Sequence, residues 1–493
     1  MERYVCISEI VLTSNARPLD APPPLTDSPT HSTQSAPSLE RKVGLGSAIS
    51  LNMMNMIGVG PFITLPLVVA AMGGPQAILG WVLGALIAMC DGLVWAELGA
   101  AIPEAGGSYA FLREIYRGKG GGREGAGRWI SFLYIWQLGF TAPLSIASGC
   151  IGLAQYAAYL WPVLNAPLAG GYIRVVNLVA AATCITAVAL LYRNVGTIAR
   201  MAWVMTAGVL FTIGAVIVAG ATHFHPELLA PASGAFTLNK GFFTGLGTAT
   251  LLATYDYWGY YTVCFLGAEV KEPGRTIPRA VLWSIGVVAA LYLTMNISVS
   301  GVIPTAEMTR ASNAKFAIVA VLMERTFGGT MARVLALLVM WTAFASVFSL
   351  LLAYSRAPYA AAKDGNYFRA FARLHQKHHF PNVSLLALGA VATVFCFFSL
   401  ARVIAALVAI RILLQYVLQQ IGVIILRVRR PEMPRPFRMW LYPLPPIAAT
   451  AGFLFILFSR SDASREMIYA AVVAASGTAL YLLRAWRRNE WPF

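Results

Sequence analysis

Runs of about twenty apolar residues follow one another from residue 45 almost to the end of the chain, and this recurrence limits what the chain can fold into. Lipid offers no hydrogen bonds to a backbone, so each such run must form a helix. The pattern predicts twelve spans, at about 45–72, 76–102, 129–160, 174–191, 199–220, 241–268, 278–301, 331–356, 383–400, 403–427, 442–459 and 467–484. Composition agrees: 58% of residues are hydrophobic and 12% charged, where a soluble chain carries about a quarter charged. The expected fold class is an all-α polytopic membrane protein with 12 transmembrane helices in one bundle.

The net charge of +16 invites a nucleic-acid reading, but the loops account for it. With the N-terminus inside, the cytoplasmic segments carry most of the 37 Lys and Arg, as the positive-inside rule requires. Both termini are therefore expected in the cytoplasm, with no nucleic-acid partner. Six cysteines show no paired spacing that suggests disulfides or zinc. Residues 1–42 are rich in Pro, Ser and Thr and read as a disordered cytoplasmic tail. They lack the apolar core of a cleaved signal peptide. The glycine-rich stretch 118–127 reads as a loop, because a phosphate cradle needs a strand-to-helix context and a Lys-Ser/Thr ending. A short surface helix is expected within 305–326. His375, His378 and His379 flank a basic loop without acidic or Cys neighbours, so no metal site is expected. No cofactor motif and no H-E-x-x-H or G-x-S-x-G occurs, which argues against an enzyme.

Two spans carry interruptions. In the first, Gly58-Val59-Gly60-Pro61 falls mid-helix. Pro61 lacks an N–H and disfavours helical geometry at Gly60, and two glycines make unwinding cheap. In the sixth, Y-D-Y-W-G-Y-Y at 255–261 places Asp256 and Gly259 inside an apolar run. Five helices separate the two, so both occupy the first helix of a repeat if helices 1–5 and 6–10 are inverted copies. Matching interruptions of this kind point to a transporter's midplane site. Broken helices expose N–H groups to an anion and carbonyls to a cation, which suits a zwitterion such as an α-amino acid.

Five stretches carry a family resemblance: I-G-V-G-P-F-I-T-L-P (57–66), W-A-E-L-G-A-A-I-P-E-A-G-G-S-Y-A-F-L-R-E (95–114), G-A-E-V-K-E-P-G-R-T-I-P-R-A-V (267–281), S-R-A-P-Y-A-A-A-K-D-G (355–365) and R-R-P-E-M-P-R-P-F-R (429–438). In that order they resemble the amino acid–polyamine–organocation (APC) superfamily, with L-type amino acid and polyamine uptake transporters among its members. The resemblance implies a LeuT-like fold of 5+5 inverted repeats plus two C-terminal helices. The implied organisation is a transporter core at 43–428, helices 11–12 at 429–486 and a cytoplasmic tail at 487–493. It implies secondary active transport by alternating access. Ile57, Gly58, Val59 and Gly60 would hold the substrate carboxylate, and Tyr255, Asp256, Tyr257, Trp258 and Gly259 would form the second break and its aromatic gate. Several relatives carry a lysine in helix 5, whereas this chain has T-A-G-V at 206–209.

Three roles compete for Asp256: pairing with a substrate ammonium, carrying a coupling proton, or capping the half-helix after the break. Asp91 shares a helix face with Gly80, Gly84 and Ala88 and so points into the bundle, either for ion coupling or as a hydrogen-bonded buried carboxyl. Ser346 and Ser349 either line a sodium-like site or bond their own helix. Glu97, Glu104 and Arg113 form a cytoplasmic gate or a solvated charge cluster. The expected function is amino acid transport across the plasma membrane (the inner membrane, if bacterial), driven by H+ or Na+. The alternatives are a polyamine or organic-cation carrier and a membrane sensor built on a transporter fold.

Overall fold

The computed structural model describes residues 39–118, 126–168, 173–310, 318–398, 408–459 and 463–488. The expected disordered tail, apart from residues 39–42, lies outside them. So do most of the 118–127 loop and residues 489–493 of the expected C-terminal tail.

The first span is two helices, α1 (Leu45–Met56) and α2 (Gly60–Met72), bent by 46° at the Gly-Val-Gly break. Pro61 stands in the first turn of α2, where its missing N–H costs nothing. Gly73 in left-handed geometry ends that helix. Then follow α3 (Ile78–Ala101), α4 (Ser108–Ile115), α5 (Ala126–Leu160), α6 (Val175–Leu191), α7 (Val195–Thr222) and α8 (Lys240–Tyr257). A two-stranded ribbon, β1 (Pro167–Leu168) and β2 (Ile173–Arg174), precedes α6. Beyond α8 come the single turn α9 (Thr262–Phe265), α10 (Pro273–Ser300), α11 (Thr305–Thr309) and α12 (Ile318–Phe327). The chain continues through α13 (Gly329–Tyr354), α14 (Arg356–Lys363) and α15 (Asn382–Phe395) to α16 (Val408–Arg429), α17 (Leu444–Phe458) and α18 (Ala463–Arg487).

Each of the twelve expected segments falls on a helix or a broken pair, but not all are full apolar rods. Among the described residues, seven helices are long and apolar enough to cross a membrane, the α1–α2 pair makes an eighth, and α6, α15 and α17 are shorter apolar helices. The sixth expected span, 241–268, divides into α8 and α9 around Trp258 and Gly259. Where a short surface helix is expected within 305–326, two short helices stand, and Glu324 and Arg325 of the second are exposed. α11 and α12 flank residues outside the description, and α12 buries Ile318, Val319, Leu322 and Met323 against α7 and α13. Its apolar residues at steps of three and four required a packed face.

At the core, α13 packs against α1, α1 against α10, α10 against α3 and α3 against α8. Small residues set the closest approach. A side chain at Gly80 on α3 would meet the Ala249 Cβ of α8 at 2.7 Å, and Gly84 lies against Ala253 one turn on. Without a hydrophobic gradient in lipid, such close backbone packing is what holds helices together.

One end of the bundle is tied by a buried ion pair. Arg356, at the start of α14, reaches Glu269 with Nε–Oε1 at 2.8 Å and Nη2–Oε2 at 3.1 Å, and both side chains are at most 1% exposed. The Glu269 carbonyl also accepts the N–H groups of Lys42 and Val43, each at 2.9 Å, which fixes the entry to α1. Arg356→Met leaves Glu269 buried and uncompensated, at a cost of about 3–5 kcal/mol. Thermal unfolding in detergent should show a marked drop for that variant and partial recovery in Glu269→Gln/Arg356→Met. An unchanged transition in Arg356→Met alone would deny the pair its anchoring role.

Candidate functional site

The two breaks meet. Gly259 has φ +134, a geometry open to glycine, and a side chain there would lie 2.8 Å from the Met56 N and 2.9 Å from the Asn55 carbonyl carbon. Two asparagines of α1 serve the second break. Asn52 Oδ1 accepts the Val263 N–H at 3.0 Å, and Asn55 Nδ2 donates to Thr262 Oγ1 at 2.6 Å. The Tyr292 hydroxyl of α10 donates to the Met56 carbonyl at 2.7 Å and lies 3.4 Å from the Asp256 carbonyl. Several of the peptide groups freed by unwinding thus find side-chain partners within the protein, as membrane depth demands.

A cavity of about 100 Å³ opens beside this junction, room for several waters or a small solute. Gly58, Val59 and Gly60 line it from the first break, and Tyr255, Asp256 and Trp258 from the second. Ile57, Tyr257 and Gly259 lie outside the lining. The Ile57 N–H continues the α1 ladder to Met53 O at 2.7 Å. The Tyr257 ring packs against Trp81 and Tyr292. Gly259 is turned to the α1 backbone. The Gly58 N–H is also occupied, by Met56 O at 3.0 Å. The N–H groups of Val59 and Gly60 are those at the open start of α2.

The Asp256 carboxylate lies along that same helix end. Its Oδ2 accepts from the Thr64 hydroxyl, and Oδ1 occupies the space a side chain at Gly60 would need. A negative group is favoured beside a helix N-terminus. The carboxylate accepts no backbone N–H there, so it stands beside the start of α2 without capping it.

The wall also holds a residue without an assigned role in the sequence reading. Arg411 of α16 donates through Nη2 to the hydroxyls of Tyr261 at 2.5 Å and Tyr354 at 2.7 Å. Its Nε reaches Gln415 Oε1 at 3.3 Å, and the guanidinium lies 4.6 Å from the Trp258 ring centre. It is 6% exposed and makes no ion pair with any carboxylate among the described residues. A buried cation held by hydroxyls and an aromatic face is costly unless function retains it. The sequence signal was its position as an arginine inside a predicted span.

The other candidate residues lie apart from the cavity or at its margin. Asp91 is buried outside it, bonded to Tyr260 and Gln420. Ser346 is in the lining, with its hydroxyl 3.4 Å from the Asn55 carbonyl, and Ser349 donates to Leu51 O at 2.8 Å. Both serve α1 rather than their own helix, because α13 packs directly against it. Thr206, in the stretch where relatives carry lysine, lies 3.3 Å from the Ser50 carbonyl of α1. Glu104 and Arg113 do meet, at 2.6 Å, and Arg113 also pairs with Asp364. Burial opposes the Arg113 charge, yet the two carboxylates hold its pKa above the ordinary guanidinium value. Glu97 is corrected: it does not join them, nor is it solvated. It is 1% exposed, pairs with Arg427 at the end of α16 and accepts the Met439 N–H at 2.8 Å. Glu97 lies inside α3, above the helix end that frees Glu104.

Comparison with known proteins agrees with this architecture. The family model described as amino acid permease matches residues 44–476. The chain is similar to the serine/threonine exchanger SteT of Bacillus subtilis, 25% identical over 85% of this chain and 91% of that protein. It is also similar to the human Asc-type amino acid transporter 1, at 26% over 92% of this chain and 84% of that one. The rabbit large neutral amino acids transporter small subunit 2 is 26% identical over 83% of this chain and 74% of its own length. With a match that spans most of its length and two broken helices around a central cavity, the chain belongs to the amino acid permease family of the APC superfamily.

Proposed function

We propose that this permease moves amino acids across the plasma membrane by alternating access, as a twelve-span, LeuT-like 5+5 carrier with both termini in the cytoplasm. The observation that carries the reading is the cavity between the breaks, whose wall holds a guanidinium and a carboxylate that do not pair with each other. Relatives named for serine/threonine exchange and for neutral amino acids support the same solute class.

The groups divide by charge. Arg411 has five N–H donors and spends some on Tyr261, Tyr354 and Gln415, leaving capacity for a substrate carboxylate. The open N–H groups of Val59 and Gly60 are the second anion-binding element. Carbonyls at the ends of α1 and α8 and the face of Tyr255 suit the ammonium, since the Trp258 ring is already taken by Arg411 and Tyr416. A substrate carboxylate at the start of α2 meets Asp256 as a like charge, and a proton carried with the substrate removes the repulsion. That favours H+ as the coupling ion. Na+ is the second candidate, because the hydroxyls of Ser346 and Ser349 and the α1 carbonyls beside them are oxygen donors. The Glu104–Arg113–Asp364 cluster serves as the cytoplasmic gate. A polyamine is disfavoured by the fixed charge of Arg411 in the wall.

Proteoliposome uptake and counterflow of labelled serine, leucine, arginine, putrescine and spermidine, with and without a pH gradient, tests the reading. Amino acids are expected to accumulate and exchange. Binding without counterflow would identify a sensor, and preference for putrescine would identify an amine carrier.

Two variants divide the roles. Arg411→Gln removes a charge-assisted contact and should raise the substrate KM about ten- to hundred-fold. Asp256→Asn should retain exchange but lose accumulation driven by the pH gradient. Unchanged gradient-driven uptake in that variant would exclude Asp256 from proton coupling.

A further inference from the structure

Away from the central cavity, a groove of about 490 Å³ lies between the end of α18, α5 and the turn after α14. Arg369, Arg487 and Arg488 line it, and no carboxylate does among the described residues. All three arginines are exposed. Beside them stand Trp136, Phe368 and Leu483, with Phe368 70% exposed. One groove therefore joins an unbalanced cationic patch to an apolar surface.

The face of α18 explains what such a groove fits. Ile468, Val472, Leu480 and Leu483 are exposed along it, at steps that keep them near one side of the helix. From Ile468 to Leu480 the rise is about 18 Å, close to one leaflet's half of a hydrocarbon core about 30 Å thick. The stripe runs directly into Arg487 and Arg488. Acyl-chain surface followed by positive charge is the profile of a phospholipid, not of a soluble anion.

The walls are preformed. Arg484 donates to the Asn366 carbonyl at 3.0 Å and to its side-chain oxygen at 2.8 Å, which pins α18 to the turn that presents Arg369. Arg488 reaches the Gly365 carbonyl at 3.2 Å. The site does not need its ligand in order to exist.

We propose that this groove binds an anionic phospholipid, with the headgroup phosphate among Arg369, Arg487 and Arg488 and an acyl chain along the α18 stripe. The test uses the full chain in nanodiscs of phosphatidylcholine with rising phosphatidylglycerol, with bound lipid counted by native mass spectrometry. One phosphatidylglycerol per chain should survive mild delipidation. Arg369→Gln and Arg487→Gln should each weaken its retention about five-fold, and together about thirty-fold. Lys377→Gln, an exposed cation outside the groove, should change nothing. Because both arginines are exposed, an unaltered melting transition will show that the variants fold. Equal retention by the double variant overturns the proposal, as does an equal loss in Lys377→Gln, which would indicate diffuse surface charge. Displacement by soluble glycerophosphate as readily as by phosphatidylglycerol, or a copurifying protein on the groove in place of lipid, overturns it too.

Discussion

A peptide group at the centre of a bilayer has no solvent to bond, and two helices that unwind there must satisfy each other. That constraint organises this protein. Gly259 allows the second break to press against the last turn of α1. Asn52 and Asn55 supply the amide partners for the chain that restarts at Thr262, and Tyr292 takes up the carbonyl end of α1. The cavity exists because this mutual satisfaction is incomplete on one side. There the start of α2 opens towards Asp256, Trp258 and Arg411.

The charges around this centre are graded by how they are held. Asp91 is saturated by Tyr260 and Gln420 and stands away from the cavity. Asp256 has a hydroxyl and a helix end beside it. Arg411 has hydroxyls, an amide and a ring, but no carboxylate. An ion pair that is already closed gains little from a solute, whereas an unpaired buried charge gains a great deal. The same logic separates Glu269–Arg356, closed and fully buried, from the cluster of Glu104, Arg113 and Asp364, whose charges remain part-exposed to solvent.

Much of the fold was legible along the chain because its causes are local. Gly58, Gly60 and Pro61 cannot sustain a helix together, and the break appears there. Gly80 and Gly84 share a face, and that face meets α8. The site was legible only in part. Gly58, Val59, Gly60, Tyr255, Asp256 and Trp258 reach the cavity, while neighbours one residue away do not, because unwinding abolishes the regular period that tells one face from another.

By itself the sequence determined that the chain is a helical membrane protein, where two of its helices lose their winding, and which family its motifs resemble. Apolar run length, backbone chemistry and glycine–proline sterics act within a few residues. Only the tertiary structure decided that Arg411 enters the cavity wall, that Glu97 belongs to Arg427, and that Glu269 belongs to Arg356. A buried charge is satisfied by whatever the packed helices bring within about 3 Å. Which distant residue that is depends on how all the helices pack, and no local spacing records it.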